Sequence, residues 1–410
     1  VLRPTTGEFP ALKLGKLGIK SRKRGLLAVM AAAIAISILL PAQVLAAGPW
    51  SAPSTVWAHD DTRESWAFPG GLITLDGSTV VASYVRVIDG DSTEVFVRRS
   101  IDSGASWGSP LQVSRTGTGS GRVSMAGYGS NVDVVITESG GATTEPGVQY
   151  SRSTDGGSSF SNPVLLSGAG IAYMAHVARG PNGVVAVVWY SKMKSRIYVR
   201  VSHDGGVTFA KRVALWQGPA HSTGEQAIAV AEGGIYVAST SLRHGLKLRH
   251  SLDGMQWSDQ VRLDGYDASG IGDRLSLTAD GDEAFIGYVR HNRRGLIPSY
   301  RRTTDGALTW SPRSKLSGPV GNVSAPMFSL EDGVARAAFG SSDCPGGPCS
   351  LGLFYRQSSD GVAWTPRELV SPPWSLPMGI GYTDRAVIGY THYESASQAG
   401  YDIEVRTATD

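Results

Sequence analysis

The sequence predicts an all-β fold, a β-propeller of seven four-stranded blades closed by its own N-terminal strand. Three observations carry this. A short polar turn ending in an aromatic residue recurs as "SIDSGASW", "STDGGSSF", "SHDGGVTF", "SLDGMQW", "TTDGALTW" and "SSDGVAW". Its aspartates, Asp102, Asp155, Asp204, Asp253, Asp305 and Asp360, are 53, 49, 49, 52 and 55 residues apart, a period that marks a repeat architecture. Between successive turns lie four short β-rich runs, the content of one antiparallel blade.

Along the chain, residues 1–46 stand apart. They hold seven Lys or Arg against one Glu, so the formal charge of +3 on the 410 residues leaves −3 for the remainder. "KSRKRG" is basic, "LLAVMAAAIAISILL" is apolar, and "VLA" before Ala47 has small residues at a cleavage spacing. These features predict a secretory signal peptide over 1–46 and a secreted protein. The apolar run is 15 residues, short for a membrane span, so no stable span is expected after leader cleavage. A mildly acidic body excludes the basic footprint that nucleic-acid binding requires.

Residues 47–410 form the predicted propeller. "GGLITLDGSTVVASYV", "AHVARGPNGVVAVVWYS", "QAIAVAEGGIYVASTS" and "LSLTADGDEAFIGYVRH" each read as two strands joined by a tight polar turn. A third run enters each repeated turn ("EVFVRRS", "IYVRVS", "LKLRHS") and a fourth leaves it ("PLQVS", "PVLLS", "QVRL"). A seventh two-strand unit follows the last turn at "MGIGYTDRAVIGYTHYE", and the chain ends on "VRTATD". "PWSAPSTV", from Pro49, is spelled like the segment after a repeated turn, with Trp50 in the aromatic position. The N-terminal strand is therefore expected to complete the last blade; six blades with an irregular tail is the alternative.

The turn has a physical explanation. An Asp carboxylate accepts backbone N–H groups just after it, and the neighbouring Gly adopts angles other residues resist. The Ser or Thr two residues earlier ties down the incoming strand, and the Trp or Phe folds back as an apolar plug. This makes the repeated Asp a folding device. The two cysteines, in "CPGGPC", predict a disulfide between Cys344 and Cys349 across a tight turn at the ligand-facing rim of the sixth blade. Eight histidines show no metal-ligand spacing, and no cofactor or metal is expected. "GTGSG" at 117–121 lies between strands with no helix following, unlike a phosphate loop.

The six turns resemble the Asp boxes (BNR repeats) of the sialidase superfamily, and the resemblance runs from about residue 50 to the end. It implies that the boxes join third and fourth strands at the outer edge, away from the ligand face. Sialidases use a Tyr nucleophile activated by a Glu, an Asp acid/base and three Arg on the substrate carboxylate. "GEQAIAVAEGGIYVASTSLR" is similar to the family stretch carrying the Glu and an Arg, which implies Glu225 and Arg243. "RVIDGDSTEVFVRRSIDSG" implies Asp89, with Asp91 as the alternative, and "HNRRGLIPSYRRTTDG" implies Arg294 or Arg293.

Two parts of the family pattern are missing. "WAFP" places Ala67 where the motif has its first Arg, with Arg63 nearby but outside it. Counting back from later turns to the nucleophile lands on Ser324 or on Met378, with Tyr382 displaced by four. The candidate catalytic set is thus Asp89, Glu225 and Tyr382, and the candidate substrate-binding set Arg243, Arg294 and Arg293. The first functional expectation is a carbohydrate or glycoconjugate-recognising propeller, with acidic sugars in view and a degenerate catalytic site. An active sialidase-type exo-glycosidase is the alternative, and a protein-interaction scaffold the third. Glu225 with Arg243 also has a plain reading, an exposed ion pair worth little.

Overall fold

The computed structural model of the chain describes residues 50–58, 65–67, 70–89, 92–117, 119–140, 145–217, 225–241, 245–265, 275–292, 295–318, 323–344, 347–371, 375–392 and 401–409. Of Asp89, Cys344 and Cys349 it describes the backbone, and the expected signal peptide lies outside the described residues. Seven antiparallel sheets form, six of them with strands in chain order and the seventh closed by the N-terminal strand. Their inner strands are Leu72–Thr74, Ser120–Tyr128, Ala172–Arg179, Gln226–Ala231, Leu275–Asp280, Met327–Glu331 and Ser375–Tyr382. In the first blade a further piece, Ser65–Trp66, pairs with the same second strand as Leu72–Thr74. Among the described residues no helix is long and apolar enough to cross a membrane.

The seventh blade is split, as expected. Ser375–Tyr382, Ala386–His392 and Asp402–Thr407 come from the C-terminal end of the chain, and Ser54–Trp57 adds the outer strand. Ser54 pairs with Val405 and Trp57 with Ile403, while Trp50 bridges to Ala408. Trp50 is buried against Tyr355 and Ile388 at the junction of the sixth and seventh blades. This leaves no unpaired strand at the point of closure.

Blades are apolar on both faces because each is covered by two neighbours. In Val185–Ser191 the six residues "VAVVWY" are all buried, a continuous run in place of alternation. Its residues divide between two cores. Val185, Val187 and Trp189 pack with Val135 and Val148 of the second blade, whereas Ala186, Val188 and Tyr190 pack with Ile228 and Val237 of the fourth. Fully burying each such side chain contributes about 1.5–3 kcal/mol.

The repeated turn joins third to fourth strand at the outer edge of each blade. Asp155 Oδ1 accepts the Ser159 N–H at 2.9 Å and the Ser153 hydroxyl at 2.7 Å, and Ser153 Oγ accepts the buried Gly157 N–H at 2.9 Å. The same bonds form around Asp102, Asp204 and Asp305. The turns at Asp253 and Asp360, one residue shorter, take two successive N–H groups at 2.8–2.9 Å. These bonds hold Asp155 and Asp305 at pKa values of about 2. Each aromatic plugs a core between blades: Phe160, Phe209, Trp257, Trp310 and Trp364 all do so.

The period also carries an arginine that our sequence reading passed over. Arg98, Arg200 and Arg356, each four residues before the Asp, donate to the carbonyl of Trp107, Phe209 and Trp364 at 3.0–3.3 Å. Each also reaches the preceding blade, at Val56 O, Leu166 O and Leu316 O, over 2.6–2.9 Å. These guanidinium groups clip blade to blade.

Candidate functional site

The inner strands all run the same way around the channel, so their first residues share one end, here called the head, and their last residues the foot. Hairpins between second and third strands also lie at the head. Glu225 directly precedes the inner strand Gln226–Ala231 of the fourth blade. Its N–H donates to Thr240 Oγ1 at 3.1 Å, and the Thr240 N–H donates to its carbonyl at 3.0 Å, which pins the residue at the head. Its side chain is 3% exposed.

The partner of Glu225 is Arg122, which the sequence reading did not single out. Arg122 sits near the start of the second blade's inner strand, its N–H on Thr137 Oγ1 at 2.9 Å. Its Nη1 donates to Glu225 Oε2 at 3.3 Å. A bond from the second blade to the fourth passes the third, and only the channel side allows that. Glu225 Oε1, also buried, has no hydrogen-bond partner among the described residues.

The third blade fills the gap with His176, on the wall of a cavity of about 170 Å³ shared with Ser124, Ala227, Ser276 and Gly379. Its Nε2 is buried and likewise without a partner among the described residues. Burial, and then the nearby Arg122 charge, lower its pKa to about 3, so it stays neutral. Among the described residues, the head of the channel thus offers the buried Arg122–Glu225 pair, a neutral imidazole, and in Glu225 Oε1 and His176 Nε2 two polar atoms without a partner. Such atoms are costly to bury unless something binds them.

The other sequence-derived residues are placed as follows. Asp89 ends the second strand of the first blade, its backbone at the head like Glu225. Arg63, Asp91, Arg243, Arg293 and Arg294 lie outside the described residues. Ala67 packs against the core between the seventh and first blades and supplies no charge. Tyr382 is not brought to Glu225: it ends the seventh inner strand, at the foot, with the Arg336 guanidinium 3.8 Å over its ring. Met378 is buried core, and Ser324 Oγ accepts the Gly340 N–H at 2.7 Å. Cys344 and Cys349 flank a turn between second and third strands of the sixth blade, with Cys344 opposite Gly347.

The foot opens into a larger cavity of about 490 Å³, lined from all seven blades. Glu232, Asp280, Glu331 and Asp332 stand there. Burial, chiefly, raises the pKa of Asp280 and Glu331. Among the described residues no cluster of three or more His, Cys, Asp or Glu is arranged to hold a metal.

No family model and no curated protein matches the chain. Solved structures do. A polysaccharide lyase, the PL25 ulvan lyase bound to -[GlcA(1-4)Rha3S]-, is 12% identical, with a TM-score of 0.54 over 83% of this chain and 92% of its own. The BP39L lectin from Burkholderia pseudomallei is 13% identical, with a TM-score of 0.51 over 75% of this chain and 98% of its own. The phage phi92 endosialidase is 7% identical, with a TM-score of 0.50 over 87% and 69%. At these identities the likeness establishes the ring fold. Function rests on the site.

Proposed function

We propose that this is an exported, sialidase-like Asp-box propeller that recognises carbohydrate at the head of its channel, without sialidase turnover. The carrying observation is Glu225, buried, ion-paired to Arg122, and left with one free carboxylate oxygen. A carboxylate oxygen without a donor suits a sugar hydroxyl, and the neutral His176 beside it can donate or accept. Structural likeness to a lectin, a polysaccharide lyase and an endosialidase, each named for carbohydrate chemistry, supports the reading. So does the basic, apolar leader of the sequence, which fits export.

Hydrolysis of sialosides lacks two parts. Ala67 provides no guanidinium for the substrate carboxylate, and each lost charge-assisted contact of that kind is worth roughly 1.5–3 kcal/mol. Tyr382, at the foot under Arg336, stands away from Glu225. The test pairs a fluorogenic sialoside assay with calorimetric titration of sialyllactose and ulvan oligosaccharides. We expect no turnover above background, and binding to at least one glycan that Glu225→Gln weakens at least tenfold. Robust turnover abolished by Asp89→Ala would restore the exo-glycosidase; no glycan binding at all would favour a protein scaffold.

A further inference from the structure

The geometry points to a second element of this site: Tyr173 and Lys192, on the rim of the third blade, form a subsite for one pyranose ring of an anionic oligosaccharide. It rests on the head of the channel being a carbohydrate site, and it names the part that would select chain length and charge.

The argument begins with a register shift. In the third blade Tyr173 lies opposite Tyr190 and His176 opposite Val188. Two residues, Met174 and Ala175, stand between these pairs on one strand and only Trp189 on the other, so a residue is inserted, and Met174 takes a left-handed φ of 53°. That conformation is unfavourable for a residue with a side chain. Strict alternation would put Tyr173 and His176 on opposite faces of the sheet. The insertion puts them on the same face, toward the fourth blade and Glu225. A bulge that re-aims a side chain beside a site is a recurrent use of this device.

Exposure separates Tyr173 from the other aromatics of its blade. It is 42% exposed, whereas Trp189, Tyr190 and Tyr198 are buried. Ile171 and Met193 flank it, also exposed, and the Lys192 ammonium lies 5.9 Å from the ring centroid. The Lys192 N–H donates to Ile171 O at 3.2 Å, fixing this hairpin against the start of the inner strand. Many other exposed large apolar residues, such as Leu252, Met255, Leu308 and Val362, belong to the repeated turns at the opposite edge. The rim of the third blade is therefore an apolar platform with a cation at its side, next to buried, unsatisfied polar atoms.

That combination fits a sugar acid. One face of a pyranose presents C–H groups that lie flat on a phenol ring, and an ammonium beside the ring meets a carboxylate or sulfate. Calorimetry with hexagalacturonate, ulvan oligosaccharides and neutral cellohexaose tests this. The wild type should bind an anionic oligomer at least tenfold more tightly than cellohexaose. Tyr173→Ala should weaken that binding at least tenfold, while Tyr173→Phe stays within threefold. Lys192→Gln should weaken only the anionic ligands and reduce their salt dependence. If Glu225→Gln abolishes binding while Tyr173→Ala matches wild type, the subsite is wrong and the head of the channel stands. If neither variant changes binding, the subsite is overturned together with the site it adjoins; if none of the three probes binds, the subsite is overturned. Thermal melts of each variant separate lost binding from lost folding.

Discussion

Two buried arginine–carboxylate pairs contrast at the two ends of one channel. At the foot, Arg179 of the third blade grips Asp133 of the second through both Nε and Nη2, and the Tyr150 hydroxyl donates to the same carboxylate. Arg179 also donates to Gly205 O at 3.1 Å, in the repeated turn. Both Asp133 oxygens are satisfied. At the head, Arg122 Nη1 donates to Glu225 Oε2 at 3.3 Å, and Glu225 Oε1 has no partner among the described residues. The first pair is closed within the protein and locks two blades to a turn. The second leaves Glu225 Oε1 without a partner among the described residues. Burial of charge alone does not separate the two pairs; the unpartnered Glu225 oxygen does.

The contrast predicts four differences, from large to small. Asp133→Ala strands a buried guanidinium and should cost about 3–5 kcal/mol by chemical denaturation; a loss below about 1 kcal/mol would break the comparison. Gly206, at φ +84°, has no Cβ, and one built there would lie 1.7 Å from the Tyr150 hydroxyl. Gly206→Ala should therefore destabilise by about 2–4 kcal/mol through overpacking and backbone strain, with glycan binding unchanged in the folded fraction. Glu225→Gln keeps the shape and leaves a more exposed arginine, so its stability cost should be about 1 kcal/mol or less, while glycan binding falls.

The fourth difference shows only with pH. His176 is held at about 3 in the fold against an ordinary value of 6.5. Between those values the unfolded chain binds a proton that the folded chain refuses, so stability falls as pH drops from about 6.5 toward 3. Denaturation midpoints of His176→Gln should decline less steeply across that window than those of wild type. The repeated-turn aspartates act lower: with folded values of about 2 for Asp155 and Asp305, their contribution is full above about pH 4 and is lost as pH falls through 2. Equal slopes for wild type and His176→Gln would place His176 in a wetter, less constrained setting.

The ring was legible because its signal is local and repeated. Asp, Gly and an aromatic recur at offsets that vary by at most one residue, so six copies spell out the period, and Trp50 betrays the split blade. The arginine four residues before the Asp in five of the six copies is equally legible, and Ser151 takes its place before Asp155. The head of the channel was only half legible. Glu225 came from a resemblance, but Arg122 meets it from 103 residues away with no spacing rule to link them. Nor does any residue type announce the bulge at Met174, and simple alternation separates Tyr173 from His176. Counting along the repeat lands on Met378; Tyr382, displaced by four, shares its strand but sits at the far end of it.

The central claim is that the unpartnered Glu225 oxygen at the head, and not the acidic foot, receives the ligand. A crystal structure with the tightest-binding oligosaccharide from the titrations tests it most directly. The account predicts a sugar hydroxyl within hydrogen-bond distance of Glu225 Oε1, with His176 Nε2 on the same or the neighbouring hydroxyl. A sugar seated instead at the foot, against Asp280 and Glu331, with the Glu225 oxygen still unpartnered, would contradict it.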